Sequence, residues 1–434
     1  MNKENNIDII LEELIKKGSK IDYLKVLREK SLELVKKDID LNEALAQISK
    51  EIKYQTEEFL NKKNEYGTSY ISGISSCIYF PDFKGNGEYK LKLVGGKTCR
   101  VKSSKVNENT LFDVASITKL YTLLLLFKLE DLKLINLNSR ICDINPDFRN
   151  LEDFTLNDLV RLHGELRTNG NITKATSKEE AYNILKTLYL TSNSKEENKY
   201  TDFGAIVIGD TIEKVISNIK GEKVTLDEIM YEYLLTPLNL NRTFFNPVNN
   251  NISGTGYRSN LVHDPKVRIL GGIAGSAGIF TTSDDLAKLS KSLYRINNSY
   301  KDFMKKIYLD KLGEVTFPGS NKGNLGIYVK HKEGYNKTFT PLEFSDGSFS
   351  HQGWTGSVAT FDTKNLIHNN ILVNAIYENE DKELVRNDKP VGFGSAFGEY
   401  QKQIMKNIML MYVAKQYYNR YCNVKENIEV TKYL

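Results

Sequence analysis

Ser116 stands three residues ahead of Lys119, at the head of a strongly apolar stretch. On one helical face that spacing stacks a hydroxyl and an ammonium. The result is a serine nucleophile with a base built in. The spacing alone is common, because Ser192 and Lys195, and Ser217 and Lys220, repeat it in a chain rich in both residue types. What sets Ser116 apart is its setting, Thr110 to Lys119 reading TLFDVASITK, and the two motifs that follow in order.

The second motif is Tyr200-Thr201-Asp202, followed by the run Phe203 to Gly209. Such a tripeptide ahead of a buried helix aims a phenol and a short polar side chain into one cleft. Tyrosine is abundant, and Tyr300-Lys301-Asp302 and Tyr377-Glu378-Asn379 match the pattern too. The third motif is His351-Gln352-Gly353-Trp354-Thr355-Gly356, just before a strand. Its glycines let backbone come close to a ligand, and an edge strand there can offer a backbone N–H to an oxyanion. Trp354, the only tryptophan, is either a packing residue or a wall of the acyl pocket.

The elements that must position these groups can be traced in the hydropathy pattern. Residues 1 to about 66 read as helices: Ile7, Ile10, Leu11, Leu14 and Ile15 fall at helical spacing, then Leu24, Leu27, Leu34 and Val35, with Ser31 interrupting the second stripe. Asp40 with Glu43 three residues on marks a further helix start. This prefix either packs on the main body or serves as a docking element. Strands are expected at 74–80 and 89–94, joined by a turn at Lys84-Gly85-Asn86-Gly87. Leu120 to Phe127 is apolar nearly all round and should form a central buried helix. Residues from about 128 to 300 read as helix and loop. Strands return at 324–330, 356–361 and 371–377, and a last helix spans about 400–420. Strands at both ends with helices between imply one α/β sheet and a helical insertion.

The chain has 434 residues, 40% hydrophobic and 26% charged, which suits a globular protein. A formal charge of +5 is too small at this length to point to nucleic acid, and the lysines are interleaved with acids. The four cysteines are far apart and none has metal-type spacing, so no metal and no cofactor are expected, and a reducing compartment fits best. Met1 to Lys20 lacks a continuous apolar core and does not read as a signal peptide. The longest largely apolar run is too short to cross a bilayer. The expectation is a cytoplasmic protein without a membrane span.

Taken together, the three motifs resemble the serine β-lactamase and penicillin-binding-protein fold, in its class C-like branch with esterase and D-aminopeptidase relatives. The resemblance covers about residues 68 to 415. Leu111 to Lys119 is similar to the family's nucleophile segment, Pro237 to Phe245 to the loop after its helical lobe, and Gly271 to Ala287 to a further family segment. It implies an α/β (α+β) fold of the β-lactamase/transpeptidase type. That means an antiparallel sheet flanked by helices, an all-helical lobe and a helical N-terminal extension. The expected division is an extension over 1–66 and a hydrolase domain over 67–434, with an α/β lobe at about 67–127 and 301–434 and a helical lobe at about 128–300.

The resemblance also implies roles. Ser116 is the nucleophile, with Lys119 and Tyr200 as candidate bases. The N–H groups of Ser116 and Trp354 form an oxyanion hole, and Gly353, Trp354 and Thr355 contact substrate. Two departures shape the expected substrate. His351 stands where many relatives carry the lysine of Lys-Thr-Gly, which weakens carboxylate recognition and fits esterase-type members. Asp202 replaces the more usual asparagine and should favour a charged Lys119, which leaves Tyr200 as the working base. The His-Thr-Ser-Gly loop of many members reads Leu162-His163-Gly164-Glu165 here, and Ser276 occupies a place where histidine is common; His163 and His263 read as structural. The expected activity is acyl-Ser116 hydrolysis of an ester or amide of a small molecule or peptide, or transfer of that acyl group. The alternatives are a β-lactamase, a D-Ala-D-Ala carboxypeptidase or D-aminopeptidase, and a catalytically silent binding protein. The oligomeric state is left open.

Overall fold

The structure is a computed structural model. It describes residues 2–19, 21–81, 88–99, 103–191, 199–248, 251–254, 261–293, 311–312, 314, 323–330, 340–341, 343–376, 385–386, 389–423 and 429–433. Among these, seven strands form the main sheet: β1 (Gly73–Pro81), β2 (Glu88–Gly96), β3 (Tyr328–Val329), β4 (Phe349–Gln352), β5 (Val358–Asp362), β6 (Ile367–Val373) and β7 (Glu429–Tyr433). Their order is β7-β2-β1-β6-β5-β4-β3. Neighbours are antiparallel except β7, which lies parallel to β2 at the edge.

Both faces of this sheet are covered, and side-chain alternation sorts residues between two cores. Ile371 and Val358 point into one, Leu372 and Ala359 into the other. The first core is closed by α1 (Lys3–Lys16), α2 (Ile21–Lys36), α3 (Leu41–Asn61) and the C-terminal α8 (Phe393–Tyr421). The second contains α4 (Thr118–Asp131), α5 (Asp202–Lys220), the short α6 (Pro265–Ile269) and α7 (Ser283–Ser292). As the sequence suggested, α4 is buried nearly all round, with Thr118, Lys119 and Thr122 its polar buried members.

The N-terminal helices have no separate core. Ile7, Ile52 and Phe59 share one cluster with Ile74, Leu91 and Ile371 of the sheet and with Phe397 and Tyr400 of α8. Phe59 stacks on Tyr400 with ring centroids 4.6 Å apart. Asp40 caps α3 as expected, accepting the Glu43 N–H at 2.9 Å. The apolar stripes differ from expectation in detail. Ile15 is exposed and Leu34 half-buried, whereas Leu32 and Ser31 are buried, because α2 packs against both α1 and α8. The elbow between α1 and α2 is tied to the segment before β4 and to the turn between β5 and β6. Ser19 and Tyr23 hydroxyls donate to the Glu343 carbonyl at 3.3 and 3.1 Å, and Lys17 Nζ donates to Asn365 Oδ1 at 2.9 Å.

Several strand expectations shift. Residues 324–330 make a 3-10 turn, Asn324–Gly326, and only a two-residue strand, because Leu325 adopts a φ of 48°. Strand β6 begins at Ile367, ahead of the expected Ile371. Its His368, Asn369 and Asn370 are buried in a strand whose apolar pattern they interrupt. The α8 helix begins at Phe393, ahead of the expected 400. The 84–87 turn and Tyr377 lie outside the described residues.

Candidate active site

The segment that carries Ser116 leaves a small sheet. Phe112–Asp113 pairs with Ile279–Thr281, which also pairs with Phe244–Phe245. The chain then turns through Ala115 at φ 45°, in the left-handed region that residues with a Cβ avoid. The Asp113 carboxylate holds this turn. One oxygen accepts the Ala115 N–H at 2.8 Å and the other the His263 N–H at 2.8 Å. Burial pushes the Asp113 carboxyl up to about 6, against the pull of those two donors. Ser116 lies in a 3-10 turn, Ala115–Ile117, so the helix proper begins only at Thr118.

Lys119, in the first turn of α4, is fully buried. Its Nζ donates to Ser116 Oγ at 3.0 Å, to Asp202 Oδ1 at 2.8 Å and to the Ser276 carbonyl at 3.1 Å. Burial works against the charge, but Tyr200 and Asp202 outweigh it, so the Lys119 pKa lies above its ordinary value. The Tyr200 ring is 5.1 Å from Lys119 Nζ, and Tyr200 is 39% exposed. Asp202 opens α5, behind the Thr201 cap whose hydroxyl accepts the Phe203 N–H at 3.2 Å. Burial raises the Asp202 carboxyl, yet Lys119 and Lys266 more than offset this and hold it well below the usual carboxylate range.

The third motif forms the opposite wall. Gly353 presses on the segment that carries Ser116 so closely that a Cβ there would stand 2.3 Å from the Val114 carbonyl oxygen. Trp354 is 47% exposed, and Lys389 Nζ lies 4.8 Å above its ring. Thr355 is buried and its hydroxyl donates to the Asp113 carbonyl at 2.7 Å, so the side chain ties the chain beyond β4 to the segment that carries Ser116. His351 is buried as well, with Nδ1 3.2 Å from the Gln352 carbonyl and Nε2 3.4 Å from the Leu325 carbonyl. Burial and the Lys119 charge push its pKa down to about 4, so it is neutral at pH 7.

The structure thus brings Ser116, Lys119, Tyr200 and Asp202 together, with Gly353 against the same segment. His163 pairs with Asp158 at 3.0 Å, a structural contact. The competing Ser217 and Lys220 lie on α5, where Ser217 Oγ donates to the Val224 carbonyl and Lys220 pairs with Glu232. Ser192 and Lys195, Tyr300 to Asp302 and Tyr377 to Asn379 lie outside the described residues. Sequence reasoning missed Asp113 as the clamp on the Ala115 turn, and Lys266. Lys266 Nζ is 2.9 Å from Asp202 Oδ2 and 3.4 Å from Asp264 Oδ2. Nothing in the spacing links Lys266 to a residue 64 positions earlier; only the Asp264-Pro265 helix-start signal marks its neighbourhood.

The Beta-lactamase family matches residues 85–390, more than half the chain. The chain belongs to that family. Curated relatives named "Putative D-alanyl-D-alanine carboxypeptidase" include one from Salmonella gallinarum, 24% identical over an alignment of 318 residues that covers 63% of this chain and 71% of the relative. Solved structures of similar shape include FmtA from Staphylococcus aureus, with a TM-score of 0.56 and 22% identity, covering 82% of this chain and 90% of that one. EstCE1, described as a hydrolase with promiscuous acyltransferase activity, has a TM-score of 0.59 at 17% identity, covering 84% and 98%. A class C beta-lactamase has a TM-score of 0.61 at 14% identity, covering 83% and 96%. At these identities the structural likenesses establish the β-lactamase/transpeptidase fold. No helix among the described residues is long and apolar enough to cross a membrane.

Proposed function

We propose that this family member is a serine hydrolase that cleaves an ester or amide through an acyl-Ser116 intermediate. The observation that carries the proposal is the Lys119 ammonium, buried and 3.0 Å from Ser116 Oγ while paired to Asp202 at 2.8 Å. A lysine held charged in this way is a poor base. It is well suited to stabilise a phenolate, so Tyr200 takes the Ser116 proton. Ser116 Oγ then bonds to the acyl carbon, and the carbonyl electrons move onto oxygen. The N–H groups of Ser116 and Trp354 hold that oxyanion, each worth about 3 kcal/mol in the barrier. Collapse breaks the bond to the leaving group, which receives the proton from Tyr200. A water deprotonated by the same phenolate attacks the acyl-enzyme and frees Ser116; an alcohol or amine in its place gives acyl transfer.

The neutral His351 favours an ester or amide without a carboxylate at that wall. The carboxypeptidase name carried by relatives supports a second reading, a peptide ending in D-alanine. Intact-protein mass spectrometry separates these after exposure to p-nitrophenyl esters of graded acyl length, a D-alanyl-D-alanine peptide, a cephalosporin and a fluorophosphonate, with Ser116→Ala as control. A Ser116-dependent adduct or turnover is expected, greatest with the esters. Absence of any adduct would leave a binding protein on this fold.

A further inference from the structure

We propose that Lys266 is a positioning residue of this site, a second cation that shares the Asp202 carboxylate with Lys119 and tunes proton transfer at Ser116. This rests on the hydrolase reading and adds a residue to it. The two lysines come from opposite sides and take different oxygens, Lys119 at 2.8 Å from Oδ1 and Lys266 at 2.9 Å from Oδ2. Lys266 is itself steered. Asp264 caps α6 through one oxygen, accepting the Val267 N–H at 3.0 Å, while its other oxygen lies 3.4 Å from Lys266 Nζ. Pro265 fixes the first residue of that helix, so the lysine leaves α6 in one direction.

The chemistry follows from counting charges. Lys119 comes from α4, and Tyr200 and Asp202 from the start of α5. Asp264, Lys266 and Arg268 come from α6, Asp113 from the nucleophile segment and His351 from β4. His351 adds no charge at pH 7. Without Lys266, Asp202 would belong to Lys119 alone, and that pair would present little net positive charge to Tyr200. With Lys266, two lysines balance the carboxylates of Asp202 and Asp264; losing its charge leaves the carboxylates one charge in excess, which raises the proton affinity of whichever base accepts the Ser116 proton.

The test is the rate of fluorophosphonate labelling of Ser116 against pH in the full chain. Lys266→Gln keeps a donor to Asp202 without the charge; Lys266→Met removes both, and Lys266→Arg keeps the charge. The acid limb of the profile should move up by on the order of one pH unit in the Gln and Met variants, as for one charge lost a few ångströms away. Labelling at neutral pH should slow about tenfold, and Lys266→Arg should restore most of it. A limb that stays in place in both neutral variants overturns the inference. So does a uniform loss at every pH, which would mark a structural role. If the wild-type chain is labelled at Ser116, these outcomes bear on Lys266 alone; if it is not labelled, the hydrolase reading falls first and this inference with it.

Discussion

Gly326 lies flat against the Tyr200 ring: a Cβ on Gly326 would stand 2.2 Å from Tyr200 Cε2. The backbone there has a φ of +83°, so any other residue would be strained as well as crowded. The same turn offers the Leu325 carbonyl to His351 Nε2. The 324–326 turn therefore positions the proposed base from behind.

Gly326→Ala should push the Tyr200 ring off its place without touching Ser116 or Lys119. A displacement of about 1 Å at a proton acceptor costs on the order of a hundredfold in rate. The expected result is a fall of that size in kcat/KM on the best p-nitrophenyl ester, with global unfolding lowered by only about 1–2 kcal/mol. An unchanged kcat/KM would mean that Tyr200 takes no part in the chemistry.

Asp202→Asn should cost stability and change its pH dependence. The folded-state pKa of Asp202 is depressed, so its contribution is present above the unfolded value of about 3.9 and is lost as pH falls through the folded one. Removing one partner of a mostly buried ion pair costs on the order of 3 kcal/mol. Urea unfolding of the two proteins should differ by that order from pH 8 down to about 5, and the gap should begin to narrow below about pH 4 and go on narrowing as pH falls further. A gap that persists unchanged at pH 3 would remove the ionic account of this contact.

The sequence was readable where side-chain pattern and local spacing coincide. The Ser116 and Lys119 pair is three residues apart and its contact is local, so the geometry follows from the helix that begins at Thr118. The Asp40 cap and the all-round burial of α4 were legible for the same reason. Strand β6 was half hidden because His368, Asn369 and Asn370 break an apolar run that the sheet nevertheless buries on both faces. Strand β7 was missed because it pairs only at the edge of the sheet, in parallel, with residues more than 300 positions earlier. Lys266 and the Asp113 clamp on Ala115 escaped because each acts through tertiary contact alone. The direction of the Thr355 hydroxyl was not legible because spacing places a residue near a strand's end but does not say which way its side chain turns.

His351 should make the fold acid-sensitive in a definite window. Its folded pKa is pushed down to about 4 from 6.5, so the unfolded chain takes a proton that the folded one refuses. Nothing is lost above pH 6.5, stability falls between there and about 4, and no more is lost below. Between pH 7 and pH 5 this amounts to about 2 kcal/mol. His368, buried and pushed down to about 3, and Asp113, raised to about 6, titrate in the same region. The comparison must therefore be with His351→Asn, in which both remain. The wild-type stability curve should fall more steeply than the variant's from pH 7 to 5. Parallel curves would show that His351 is protonated in the fold as readily as out of it.

Phe59→Ala tests whether α1–α3 belong to the hydrolase fold or merely sit on it. Phe59 is 3% exposed, lies between Tyr400 at 4.6 Å and Phe397 at 5.8 Å, and shares its core with the back of the sheet. Truncating a buried aromatic ring costs about 3–5 kcal/mol, much of it from the cavity left behind. If the core is continuous, that loss should appear in a single cooperative transition, and hydrogen exchange should speed up in β1, β6 and α8 together with α3. Labelling of Ser116 well below the transition should keep its wild-type rate, because its neighbours Val114 and Ile117 belong to the core on the other face. Faster exchange confined to the first 61 residues would instead make the helical segment an independent unit, and its outer surface the place to search for a partner.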